Sequence, residues 1–252
     1  MIEMSAELFA LLLGAAFVAG FVDAIAGGGG LITVPALLLA GVPPVTALAT
    51  NKVQGLFGAG MAAVTYARAG HVTLRRQIRP ALLSFAGALL GALMASSLPT
   101  DVIRMGLPVL LIGVALFFAL KPGLDDVDKH ERLSPLLFSI SFVPLIGFYD
   151  GLLGPGTGAF FMLGFVGLAG YGILRATAHT KLLNFASNVG GLVGFLLVLQ
   201  PLWLLGLAMG AAQMAGAWLG SHLASRIGAK LIKPVLVIAA SAMAIKLISE
   251  WM

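Results

Sequence analysis

The chain has 252 residues, of which 60% are hydrophobic and 10% charged. A water-facing domain carries about 25% charged residues, so a soluble globular protein is excluded and an all-α integral membrane protein is expected. The net charge of +5 falls mostly in arginines and lysines between apolar runs, which reads as membrane orientation and leaves nucleic acid out as a partner.

In chain order, an apolar run from Leu8 to Ile25 breaks at Gly27–Gly30 and resumes from Leu31 to Ala40. Gly41-Val42-Pro43-Pro44 predicts a turn, because two prolines stop a helix. Thr46 to Ala67 is long enough to span, which takes about 17–25 apolar residues. A basic loop with Arg68, His71, Arg75, Arg76 and Arg79 follows, then Pro80 to Leu98, a turn at Pro99-Thr100-Asp101, and Met105 to Leu120. The one long polar stretch, Lys121 to Ser134, is read as the linker of a single membrane domain covering 1–252. Repeat 1 covers about 5–121, the linker about 122–134 and repeat 2 about 135–252. The second half repeats the layout: Pro135 to Tyr149, a break at Gly154–Gly158, Ala159 to Ala169, spans at Ala176 to Leu199 and Trp203 to Leu219, and a final run from Pro234 to Ile248. Glu3 and Glu7 at the start, without a basic region, do not predict a cleaved signal peptide. The expected location is the cell inner membrane or plasma membrane, crossed several times.

The positive-inside rule puts the Arg68–Arg79 loop in the cytoplasm. The loop holding Arg226, Lys230 and Lys233 is also basic. If both are cytoplasmic, the halves are inverted repeats, each a Gly-rich broken or re-entrant helix plus three transmembrane helices. If each broken segment crosses once, the halves are parallel. The charge bias favours the inverted arrangement.

The halves share an unusual phrase. Gly20-Phe21-Val22-Asp23, leading to Gly27–Gly30, returns as Gly147-Phe148-Tyr149-Asp150, leading to Gly154–Gly158; the aspartates lie 150 − 23 = 127 positions apart. Ala49-Thr50-Asn51-Lys52 returns as Ala178-His179-Thr180-Lys181, the lysines lying 181 − 52 = 129 apart. Matching breaks in two hydrophobic halves point to a secondary transporter's binding site.

An aspartate in lipid must face protein, a partner or water. Asp23 and Asp150 are therefore either proton carriers or caps that accept backbone N–H bonds at a broken helix. The tracts Gly27, Gly28, Gly29, Gly30 and Gly154, Gly156, Gly158 allow close backbone approach and expose helix N-termini suited to an anion; the bland alternative is tight helix crossing. Thr33 and Thr157 can add hydroxyl donors. Lys52 and Lys181 lie about two turns into their spans, where each either pairs with an aspartate or holds an anionic substrate. Asn51, Gln54, Asn184 and Asn188 bring amides to the same region, to line a pathway or bond a neighbouring helix. His179 is a third proton-carrier candidate, set against packing. The absence of cysteine excludes thiol chemistry. No zinc spacing, phosphate-binding glycine loop or nucleophile–base constellation is present, so no metal, cofactor or enzyme activity is expected.

At these blocks the chain resembles the sulfite exporter TauE/SafE family of membrane permeases. The carrying residues are Gly20-Phe21-Val22-Asp23 with its glycine tract, Pro35, Ala49-Thr50-Asn51-Lys52, Gly147-Phe148-Tyr149-Asp150-Gly151, Gly154-Pro155-Gly156-Thr157-Gly158, and Ala178-His179-Thr180-Lys181 with Asn184. The resemblance covers essentially the whole chain. It implies transport of small anions, often sulfur oxyanions or organosulfonates, coupled to protons. The expected function is thus a secondary active anion transporter, with a passive anion channel as the alternative; the expected partners are a small anionic substrate, a proton and the lipid bilayer.

Overall fold

The computed structural model describes residues 5–97 and 126–232, together with 234, 235 and 238. The expected runs Met105 to Leu120 and, all but those last positions, Pro234 to Ile248 lie outside the described residues. Every regular element among the described residues is helical.

Helix α1, Ala6–Ala26, starts at Ser5, whose hydroxyl accepts from Leu8 N at 3.2 Å. It stops at Gly27, whose φ of +73° lies where only glycine is at ease. Helix α2, Gly30–Leu39, restarts inside the tract, one residue before the expected Leu31. The predicted turn follows, and α3, Pro44–Arg68, begins on a proline, whose missing N–H costs nothing in the first turn. A 3-10 turn, Leu74–Gln77, leads into α4, Ile78–Ser97.

In the second half, α5, Pro135–Leu152, contains a π turn at Phe138–Phe142 just before Pro144, which has no N–H to continue an α ladder. The chain breaks at Gly154 and Gly156, with φ of +87° and +86°. Helix α6, Thr157–Gly167, restarts two residues before the expected Ala159. Helices α7, Ile173–Leu196, and α8, Trp203–Ile227, complete the set. The part of the polar linker that is described is pinned by its backbone: Lys129 N donates to Gly170 O at 2.6 Å and Arg132 N to Leu168 O at 2.8 Å.

Helix α1 packs on α8, α5 on α4, α4 on α7, α8 on α3, and α3 on α7. Small residues bring the outer pairs together. A Cβ on Gly216 of α8 would collide with the carbonyl of Phe17 in α1, and one on Gly151 of α5 with that of Ala88 in α4; such contacts let backbones approach closely where lipid offers no hydrophobic drive.

Polarity is distributed inside out. Leu11, Leu39, Leu136 and Leu204 are exposed, while Asp23, Lys52, Asp150 and Lys181 are buried. Three described helices are long and apolar enough to cross a membrane: Ala6–Ala26, Leu74–Ala95 and Pro135–Leu152. Helices α3, α7 and α8, of 25, 24 and 25 residues, have the length but not that apolarity. Helices α3 and α7 carry the site's lysines and amides.

Candidate functional site

The two breaks meet. Gly27 lies against Gly158: a Cβ on Gly158 would come within 2.9 Å of Gly27 Cα, and one on Gly27 would collide with the Gly158–Ala159 backbone. Gly30 similarly faces Pro155 and the Asn51 amide. No residue but glycine lets both tracts cross here.

The ion pairs run across the halves. Lys52 Nζ of α3 lies 2.8 Å from Asp150 Oδ1 of α5, and Lys181 Nζ of α7 lies 3.6 Å from Asp23 Oδ2 of α1. Both lysines are fully enclosed, at 1% and 0% exposure, which excludes snorkelling to an interface. An unpaired ammonium at such depth would be strongly unfavourable, so each pair is a condition of the other half's break.

The carboxylates are held differently. Asp23 Oδ1 accepts from Gly28 N at 2.9 Å and Gly29 N at 3.1 Å, and Lys181 Nζ also donates to the Asp23 carbonyl. Asp23 thus caps its own glycine tract, and the backbone donors expected there are taken. Asp150 Oδ1 accepts from the Thr157 hydroxyl at 2.7 Å, while Asp150 Oδ2 is buried without a hydrogen-bond partner among the described residues.

Between the tracts lies a cavity of about 30 Å³, room for about two waters. Asp23, Gly28, Gly29, Gly30 and Asn51 line it from the first half, and Asp150, Gly154, Gly156, Thr157, Gly158 and Asn184 from the second. Of the other predicted residues, Gly27 is spent on the backbone crossing, and Lys52 and Lys181 stand behind the carboxylates rather than on the cavity wall. Thr33 also lies off the wall; its hydroxyl donates to Asn51 Oδ1 at 2.7 Å. His179 is elsewhere, in a second cavity, 2.7 Å from Gln77 Nε2 through Nδ1. Asn184 and Asn188 share a face, with Asn188 Nδ2 donating to Asn184 O at 2.7 Å.

Gln213 of α8 is a cavity residue that the repeated phrases do not mark. It is buried, its Oε1 lacks a partner among the described residues, and Gly58 of α3 makes room for its amide. The available signal was its standing as the single polar side chain in the apolar run Trp203–Leu219. Tyr66, whose hydroxyl donates to Ala24 O at 2.8 Å beside the first break, also escaped the reading.

A helical, inside-out molecule with buried charge at paired helix breaks is a membrane protein of the transporter class. The comparisons agree and go further. The family model described as sulfite exporter TauE/SafE matches residues 12–247, and the chain belongs to that family. It is 57% identical to a probable membrane transporter protein, ORF9, of Sinorhizobium sp, over 98% of this chain and 95% of the relative. It is 42% identical to the probable membrane transporter protein YfcA of Escherichia coli K12, over 98% of this chain and 92% of the relative. A probable membrane transporter protein of Haemophilus influenzae is also 42% identical, over 98% of this chain and 97% of the relative. No solved structure matches the chain significantly.

Proposed function

We propose that the protein is a proton-coupled secondary transporter of small anions, crossing the cell inner membrane several times, with sulfur oxyanions or organosulfonates as its substrate class. The carrying observation is the order of charge around the cavity: two carboxylates on the wall, two lysines behind them. An anion entering beside an ionised carboxylate is repelled by about 4 kcal/mol at 4 Å for an effective dielectric near 20. Protonating that carboxylate removes the repulsion and releases the lysine's charge to the anion, so anion and proton enter together.

Of the two, we assign the transported proton to Asp150. Its Oδ2 is the open position, whereas Asp23 is committed to the glycine backbone. In this reading Lys52 and Lys181 hold the anion, and Gly28–Gly30, Gly154, Gly156, Thr157, Gly158, Asn51 and Asn184 wall its space, the Gly28 and Gly29 N–H groups staying with Asp23. Gly27 and Thr33 support the tracts. A cavity of about 30 Å³ admits no multi-atom oxyanion until the tracts part, which favours alternating access over an open channel.

Inverted repeats suit this cycle. That arrangement is supported by Arg68 at the end of α3 and Arg226 at the end of α8 lining one common cavity. It is also supported by the reciprocal packing of α1 on α8 and α5 on α4.

The test is transport into proteoliposomes. With a pH difference imposed, purified protein is expected to accumulate sulfite or methanesulfonate above its external concentration, and a protonophore to abolish the accumulation. Flux that only ever equalises the two sides, whatever the pH difference, would mark a channel and reject the coupled mechanism.

A further inference from the structure

A second, larger cavity of about 380 Å³ opens where the basic loop after α3, the linker and the start of α7 converge. Its polar wall carries His71, Arg76, Gln77 and Arg175, with Glu131 as the one carboxylate among the described lining residues. Its apolar wall is aromatic: Phe138, Phe165 and Tyr171.

The cavity is built rather than incidental. Arg175 lies over the Tyr171 ring, 3.8 Å from its centroid, and its Nη1 reaches Asp128 Oδ2 at 2.5 Å. Tyr171 and Phe165 stack at 5.4 Å, and the His179 ring meets Tyr171 edge-on at 4.9 Å. Gln77, only 5% exposed, binds His179 through Nε2 while its Oε1 has no partner among the described residues. Arg76, by contrast, is exposed and has no ion-pair partner among them.

We propose that this cavity is a distinct binding site for organic anions carrying an apolar body, such as aryl or longer alkyl sulfonates and carboxylates. The anionic head lies toward Arg76 and His71, and the body lies against Phe138, Phe165 and Tyr171. A cavity of several hundred cubic ångströms with an aromatic wall and a few convergent polar groups has the form of a small-molecule site. A guanidinium gives a carboxylate or sulfonate two parallel donors, and a ring face adds contact area. The central cavity holds about 30 Å³ with the tracts closed, whereas this cavity already has room for an organic body. That the ligand is an anion rests on the proposed function; the site itself rests on its own lining.

The probe is benzenesulfonate, titrated calorimetrically against purified protein in nanodiscs, with methanesulfonate as the tail-less control. Wild-type protein should bind benzenesulfonate at least about tenfold more tightly than methanesulfonate. Arg76→Ala and Tyr171→Ala should each weaken benzenesulfonate binding about tenfold or more, since each removes one half of the recognition. Arg76→Lys should recover part of the loss. The double variant Lys52→Ala/Asp150→Ala, which removes the central ion pair together and so leaves no buried charge unpaired, should leave this binding unchanged, so failure of the central reading and failure of this one are separable. Undetectable benzenesulfonate binding, equal affinity for the two sulfonates, wild-type affinity in both Arg76→Ala and Tyr171→Ala, or loss in the Lys52→Ala/Asp150→Ala variant alone would each overturn the proposal. Arg76 is exposed, so its substitution spares the core; Arg76→Glu, which reverses the charge, should abolish binding in a protein that unfolds as wild type does.

Discussion

The two lysine–aspartate pairs come from nearly the same words in the sequence and are held differently. Around Asp23, backbone donors from Gly28 and Gly29 and the Lys181 ammonium converge on one residue, with ammonium and carboxylate 3.6 Å apart. Around Asp150 the pair is closer, 2.8 Å, yet one carboxylate oxygen has no hydrogen-bond partner among the described residues. The first pair is stitched into the main chain; the second hangs on side chains. Asp23 spends its Oδ1 on backbone N–H groups that its loss would orphan, whereas the buried Oδ2 of Asp150 has no hydrogen bond among the described residues that a proton would displace. Two similar sequence phrases thus give two pairs with different hydrogen bonding, and the proposed function assigns the proton to the second.

The largest expected effects come from breaking one partner of either pair. Lys52→Ala or Asp150→Ala leaves an uncompensated buried charge and should cost about 3–5 kcal/mol in stability. The double variant should recover most of that loss, measured by denaturant unfolding in detergent. In the other pair, Lys181→Ala/Asp23→Ala should recover much less, because the Gly28 and Gly29 donors remain orphaned. Equal recovery in the two double variants would erase the distinction.

The hydroxyl at the second break sharpens the comparison at smaller scale. Thr157→Val keeps the shape but removes the only hydrogen bond from a neutral group to Asp150 among the described residues. It should lower stability by about 1.5–3 kcal/mol, the range for a hydrogen bond to a charged group. Thr33→Val, whose hydroxyl meets a neutral amide, should cost about 0.5–1.5 kcal/mol. Thermal unfolding of both variants would check the order.

The first half's break, its partner break, the repeated phrases and the membrane class were legible because each has a local cause: glycine at positive φ, proline at a helix start, apolar runs between basic loops. Both aspartates and most of the glycines line one cavity, with both lysines paired to the aspartates. What the sequence left open was long-range. That Lys52 meets Asp150 and Lys181 meets Asp23, rather than the nearer aspartate in each case, depends on how α3 and α7 cross. That Asp23 accepts from the Gly28 and Gly29 N–H groups was likewise one of two roles the sequence offered for it. Gln213 belongs to no repeated phrase, and His179, two residues from Lys181, turns to a different cavity because adjacent helix positions face apart.

The smallest effect belongs to a third pair, Arg175 with Asp128, exposed at the start of α7. The Gly172 N–H, and after it the Arg175 guanidinium, hold the Asp128 carboxyl below the usual carboxylate range. A lowered folded-state value means the group stabilises above the unfolded value, near 3.9, and that this contribution is lost as pH falls through the lower, folded one. Because the pair is solvent-exposed, Asp128→Asn should cost less than about 1 kcal/mol at neutral pH. The cost should shrink further in 1 M salt, where charges are screened within about 3 Å. The penalties at the buried pairs should persist in that salt.

The division of labour between Asp23 and Asp150 is tested most directly by comparing Asp150→Asn with Asp23→Asn in proteoliposomes under an imposed pH difference. Asparagine keeps the shape of the side chain but cannot titrate. Asp150→Asn should still exchange labelled sulfite across the membrane yet fail to accumulate it, while Asp23→Asn should be less stable but still accumulate. Accumulation by Asp150→Asn at the wild-type level, with loss of coupling in a folded Asp23→Asn, would contradict the account.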